Sequence, residues 1–205
     1  MFESYSLEAF AGSTAAPVAV PGGGCVSALA GALAAALTAM VAGLTLKKEA
    51  YAAIAPRMQA MQHEAASLQV QLLAAVDRDA QSYQAVLAAM RLPKSSDTER
   101  RVRSAAIQEA FVGASEVPMQ VAQLALQVSH LALEAARDGN PDMITDAGVS
   151  ALMARSAALG ALMNVRINLA AIKDPDLVAR LDRKIQRIKT QVMENERAVL
   201  TLFSI

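Results

Sequence analysis

The sequence predicts an all-α protein: an up-and-down bundle of about five long helices plus a short N-terminal one, in a single domain spanning residues 1–205. Three observations carry this. Hydrophobic residues make up 54% of the chain but aromatics only 3%, so its apolar mass is mostly Ala, Leu, Val and Met, which favour helix. Apolar side chains recur every three or four positions over long stretches. Glycine and proline are sparse and fall mainly where helices should start or stop.

A short helix over Ser6–Ala11 ends at Gly12. The first long helix runs from about Cys25 to Lys48. Its stripe of Leu29, Leu33, Leu37, Met40 and Leu44, at steps of 4, 4, 3 and 4, reads as the core face. On the face away from the leucines, Ser27, Gly31, Thr38, Ala42 and Thr45 make a small, partly polar line that ends at Lys48 and is suited to border a ligand cleft. The charge-free stretch is long enough for a bilayer of about 30 Å. Its Ala, Gly, Ser and Thr add little insertion energy, however, and no Trp or Tyr belt flanks it. A buried helix is the better explanation, with no membrane partner.

The second helix, Pro56–Met90, lines Met58, Met61, Ala65, Leu68, Leu72, Val76, Ala80 and Tyr83 along one face. "LPKSSD" breaks it, and Ser96 with Glu99 forms a capping box for a third helix that stops at Gly139 and should kink at Pro118. "GNPDMIT" is a turn; Thr145 or Asp146 caps a fourth helix to about Ile172. Asp174 before Pro175 opens the last helix, which carries Leu177, Leu181, Ile185, Ile188 and Val192. Such slender bundles commonly cover their remaining apolar face by dimerising.

The chain holds 19 basic and 19 acidic residues, so its balance gives no sign of a nucleic-acid or anionic-lipid partner. A single cysteine rules out an internal disulfide and fits a reducing compartment. "MFESYSLEAF" lacks the basic region of a signal peptide, so a cytoplasmic location is expected. No phosphate-loop or zinc-protease motif is present, and His63 and His130 are too isolated to suggest a metal site. Cys25 reads as a small buried residue.

The informative residues are polar groups on apolar faces. On an ideal helix Asp79 lies within about 20° of Leu72 and about 40° of Tyr83, so it interrupts the core stripe. A carboxylate there needs a partner: a basic side chain of another helix, or a ligand. The fourth helix carries Asp146, Ser150, Asn164 and Asn168 along one line, which serves either an interhelical network or a polar ligand.

The stretches "PGGGCVSALAGALAAALTAMVAGLT", "DAQSYQAV" with "LPK", "SEVP", "GNPDMITDAGV" and "GALMNVRINL" occur in this order and cover about Phe10 to Asp174. Together they resemble the formiminotransferase-cyclodeaminase family, in particular its free-standing cyclodeaminase and methenyltetrahydrofolate cyclohydrolase members. The resemblance implies an all-helical homodimer with folate held in a cleft where the bundles meet. It implies a reaction at the one-carbon bridge between N5 and N10 of tetrahydrofolate, with the folate as substrate and no metal. The chain departs from the pattern at Lys47, where the family often has glycine, at Glu49, where it has a basic residue, and at Asp142, where it has Asn.

Laid on the matching positions, the resemblance implies Asp79 or Asp146 as the group that stabilises a cation and orients water or N10. Lys48 becomes the proton donor or acceptor, a role for which a buried lysine would need a lowered pKa. Pro21, Gly22, Gly23 and Gly24 would let backbone approach the pterin. Tyr83, Asn140 and Asn164 join the substrate-binding set, and Lys94 or Arg166 would hold the glutamate carboxylates. Two alternatives stand beside the enzyme: an inactive bundle that binds folate, and a module that serves only assembly.

Overall fold

The computed structural model describes residues 2–203. Six α-helices follow in order: α1 (Leu7–Ala15), α2 (Gly23–Leu46), α3 (Ala55–Met90), α4 (Asp97–Asp138), α5 (Ile144–Leu169) and α6 (Pro175–Thr201). Short 3₁₀ turns at Glu49–Ile54 and Pro141–Met143 join α2 to α3 and α4 to α5. The long helices run alternately up and down, and their buried residues form one core.

Local signals set most boundaries. Ser96 accepts from the backbone N–H of Glu99 while the Glu99 carboxylate accepts from that of Ser96, closing the capping box of α4. Asp174 accepts from the N–H groups of Asp176 and Leu177 and starts α6 ahead of Pro175. Two boundaries differ from the sequence reading. Helix α1 runs through Gly12 to Ala15. Neither Thr145 nor Asp146 caps α5: the Asn140 side chain caps the preceding 3₁₀ turn, and Asp146 sits in the first turn of α5, where the helix dipole favours its charge. Helix α4 continues through Pro118, which is buried.

Helix α2 reverses the predicted orientation. The line of small residues faces inward: Ser27, Gly31, Ala35, Thr38, Ala42 and Thr45 are buried against α3, α4 and α5. The leucine stripe faces out, with Leu33 44% and Met40 40% exposed. The reason is steric. Side chains of this size let helix backbones approach closely: a Cβ on Gly31 would stand 3.1 Å from the Leu72 side chain and 3.4 Å from Ala157, leaving no room for a larger residue.

Two hydroxyls stitch this dry interface. Ser150 Oγ donates to the Ala34 carbonyl at 2.7 Å and lies 2.8 Å from Thr38 Oγ1. Helix α2 and the 141–169 stretch are both long and apolar enough to cross a membrane, and about half of each is packed inside the bundle.

Helices α3 and α4 are much longer than α2, at about 54 and about 63 Å against about 36 Å. Their paired ends, joined by the turn around Lys94, project beyond the start of α2. This overhang creates the cleft described next.

Replacing Thr38 by Val should lower unfolding stability by about 1 kcal/mol, because a buried hydroxyl pair is lost at little change in volume. Urea denaturation read by circular dichroism measures it.

Candidate active site

A cleft of about 590 Å³ lies where the α3–α4 overhang meets the amino end of α2 and the carboxyl end of α5. Gly22, Gly23 and Gly24 form its floor, with Asn164 and Asn168 on one side. Val86, Leu87, Met90 and Phe111 supply an apolar wall, and Tyr83 is part of the rim at 41% exposure. Among the described residues that line the cleft, Asp79 alone is charged.

Asp79 is held by the start of α2. Its carboxylate lies directly over Gly24, so that a Cβ there would collide with both carboxylate oxygens. The N-cap, Gly22, offers no side chain to the helix start, and Asp79 reaches across from α3 to accept from the backbone of Cys25. The buried Cys25 thiol lies 3.4 Å from Asp79 Oδ2 and 3.4 Å from the Val76 carbonyl. Burial pushes the thiol up to about 12, so it donates and does not ionise. Burial also raises the Asp79 pKa above its ordinary value, an effect partly offset by the hydrogen bonds from Cys25. No basic side chain pairs with Asp79 in the hydrogen bonds and ion pairs of the described residues, so the carboxylate keeps its charge for what enters the cleft.

Asn164 donates to the Gly160 carbonyl at 2.9 Å, and Asn168 donates to the Ala114 carbonyl at 2.7 Å. Both keep their amide oxygens for other partners. The sequence pattern sets both on one polar line of the fourth helix, open to a network or a polar ligand, and names Asn164 alone in the substrate-binding set; their i, i+4 spacing brings both to the cleft. The apolar wall was not legible, because nothing in its local pattern separates a lining residue from a core one.

The cleft thus gathers Gly22, Gly23, Gly24, Asp79, Tyr83 and Asn164, with Pro21 buried just before the floor. The remaining predicted residues lie elsewhere in the chain. Lys94 is exposed at the hairpin turn, and Arg166 is exposed with Asp182 at 3.7 Å. Lys48, Asn140 and Asp146 lie at the opposite end of α2, roughly 35 Å from Asp79 along the helix axis.

That far end is organised in its own right. The backbone N–H of Asn140 donates to Thr45 Oγ1 at 3.0 Å, and Lys48 Nζ donates to Asn140 Oδ1 at 3.3 Å and to Asp142 Oδ2. Lys48 is therefore not the buried lysine of lowered pKa expected from sequence. It is exposed, and the Asp142 carboxylate holds its ammonium above the usual range, while Lys48 holds Asp142 below.

Comparison with known proteins decides the family. The family model for formiminotransferase-cyclodeaminase matches residues 6–187. The chain belongs to the formiminotransferase-cyclodeaminase family. A methenyltetrahydrofolate cyclohydrolase of Methylorubrum extorquens is 34% identical over 82% of this chain and 81% of that protein. The formimidoyltransferase-cyclodeaminase of Rattus norvegicus is also 34% identical, over 91% of this chain but only 35% of its own length. A crystal structure of formiminotetrahydrofolate cyclodeaminase from Thermotoga maritima superposes with a TM-score of 0.89 at 26% identity, covering 98% of this chain and 97% of that one.

Gly24→Ala should displace the Asp79 carboxylate and cut turnover at least tenfold without unfolding the chain, since only one side chain must move. Asp79→Asn should be at least as stable as the parent at neutral pH. A raised folded pKa means that the stability contributed by Asp79 is present below about 3.8 and is lost as pH rises through the folded value, so removing the charge costs nothing at pH 7. Thermal melts of both variants at pH 5 and 7 check this.

Proposed function

We propose that this protein is an enzyme acting at the N5–N10 one-carbon bridge of tetrahydrofolate, with Asp79 as its general base and cation-stabilising group. The observation that carries the reading is the half-buried, unpaired Asp79 carboxylate set against the α2 amino end on the floor of an apolar cleft. A methenyl bridge is a delocalised cation, and a carboxylate in a poorly solvated site stabilises it more strongly than water does.

In the hydrolytic reaction a water adds to the methenyl carbon and gives a proton to Asp79. The C–N5 bond then breaks as N5 takes a proton, and the remaining hydroxyl proton leaves as the 10-formyl carbonyl forms. The glycine floor lets backbone approach a flat ring closely. Val86, Leu87, Met90 and Phe111 would cover the aryl group, leaving Lys94 at the hairpin turn for carboxylates beyond the mouth.

Hydrolysis of the methenyl bridge is the first reading, favoured by the cyclohydrolase that matches over four-fifths of both lengths. Cyclodeamination is the second, favoured by the near-complete superposition on the Thermotoga maritima structure. In that reaction N10 adds to the 5-formimino carbon and ammonia departs, with Asp79 accepting the N10 proton.

We further propose a homodimer formed through the outward faces of α2 and α5. Leu33 and Met40 on α2, and Val149, Leu152, Met163 and Ile167 on α5, are large apolar side chains that are at least 40% exposed. A continuous apolar face of this kind marks an interaction surface.

The methenyl chromophore of 5,10-methenyltetrahydrofolate is expected to decay faster with protein than without. Its appearance from 5-formiminotetrahydrofolate identifies the second reaction, and binding without either reaction supports an inactive folate binder. Asp79→Asn should lower turnover by roughly 10²-fold or more. The acid limb of the parent's rate profile should fall above the ordinary aspartate value of 3.8, because the ionised form is required and its pKa is raised. Leu33→Lys combined with Met163→Lys should yield folded monomers by light scattering.

A further inference from the structure

Building on the reading of Asp79 as the base, we propose that Cys25 is its positioning residue: the thiol donates to the ionised carboxylate and turns to the Val76 carbonyl when the carboxylate is protonated. Geometry leads there first. Cys25 is fully buried, and its Sγ stands 3.4 Å from Asp79 Oδ2 and 3.4 Å from the Val76 carbonyl oxygen. A thiol carries one proton, so it serves only one of these acceptors at a time. Val76 and Asp79 lie about one turn apart on α3, and the same sulfur reaches both from α2.

The sulfur itself has little freedom. Cys25 is the third residue of α2, and the backbone N–H of the N-cap residue Gly22 is directed at its sulfur, as in the returning half of a capping box. What can move is the S–H proton. A carboxylate anion is a stronger acceptor than a peptide carbonyl, so the proton points at Asp79 while Asp79 is charged. Once Asp79 has taken a proton from water or from N10, that attraction falls and the Val76 carbonyl becomes the better acceptor. No bond to sulfur forms or breaks in the exchange. The thiol stays protonated throughout, because burial pushes its pKa up to about 12. In neither state is the S–H left unpaired in the core.

The thiol matters because little else around Asp79 answers its charge. The segment before α2 brings Ala19 and Val20 to the cleft, α4 brings Phe111 and Ala114, and α5 brings the amides of Asn164 and Asn168. On α3 itself, Ser82 donates to the backbone carbonyl of Asp79, and Tyr83 is the other titratable side chain of the lining. The charged sequence neighbours are engaged elsewhere: Asp77 accepts from the backbone N–H of Phe2, and Arg78 donates to Gln120. The Asp79 carboxylate is therefore met by the Cys25 thiol and the Cys25 backbone N–H, and both favour its ionised form against burial. By donating to the anion alone, the thiol lowers the pH at which the base begins to work.

The pH profile of methenyl turnover tests the assignment. Cys25→Ala removes the donor and should move the acid limb upward by about half a pH unit or more. Cys25→Ser keeps a donor and should return the limb to the parent's position or below it. An unmoved limb in Cys25→Ala overturns the proposal whatever the loss of rate, because a packing role lowers turnover at every pH alike. A Cys25→Ser limb that follows Cys25→Ala overturns it too. A second readout needs neither a Cys25 variant nor turnover. Cys25 is the one cysteine of the chain, so the protein has a single S–H stretching band, in an infrared window clear of other protein bands. In the folate-free parent this band should fall in frequency as pH rises through the titration of Asp79, and it should stay fixed in Asp79→Asn. A band that does not titrate in the parent, or that still titrates in Asp79→Asn, overturns the proposal. A titrating band in a protein that turns over no folate upholds the exchange of acceptors and counts against the enzymatic reading alone.

Discussion

The structure depends on how closely α2 approaches its neighbours. A helix whose inward positions are Ser27, Gly31, Ala35, Thr38, Ala42 and Thr45 brings backbones together, and almost every other feature follows from that choice. It leaves little space between α2 and α5, so Ser150 can bond directly to the backbone of α2 at Ala34. It also pushes the leucines outward, because the dry side has no volume for them. What the fold sets aside in large apolar side chains at its centre reappears as an exposed stripe on the outward face of α2.

The same close approach fixes the chemistry at the start of α2. Gly24 gives the Asp79 carboxylate a resting place that any side chain would occupy, and the Cys25 thiol and backbone N–H steady it. Asp79 is the side-chain cap of a helix to which it does not belong. A carboxylate in this position is oriented by the helix start yet raised in pKa by its burial, two effects that act in opposite directions on its charge. The result is a poorly solvated carboxylate in a fixed orientation, suited to the base role proposed for it. The overhang of α3 and α4 turns this spot from an exposed helix end into the floor of a slot.

Much of this was legible in the residues. The caps at Ser96–Glu99 and Asp174–Pro175 are local chemistry and held in the structure. The α3 stripe from Met58 to Ala80 is buried as its period requires, since a helix with one apolar and one polar face has one way to turn. Asp79 stood out because a charge interrupted that stripe. Helix α2 was misread because it is apolar on every side. With no polar face to orient it, the larger residues appear to be the core, and only the fit against Leu72 and Ala157 shows that the smaller ones are. Asn140 was placed with the substrate set on its family position, while the structure uses it to cap a turn and to hold Lys48.

The sequence alone determined the helices, their order, most of their ends and the two candidate carboxylates, Asp79 and Asp146, because caps and periodicity act over a few residues. It could not determine which face of α2 is buried, which residues wall the cleft, or that Lys48 and Asp79 stand at opposite ends of one helix. Those outcomes depend on the relative lengths of α2, α3 and α4 and on the space between them, and such distances exist only once the helices are packed.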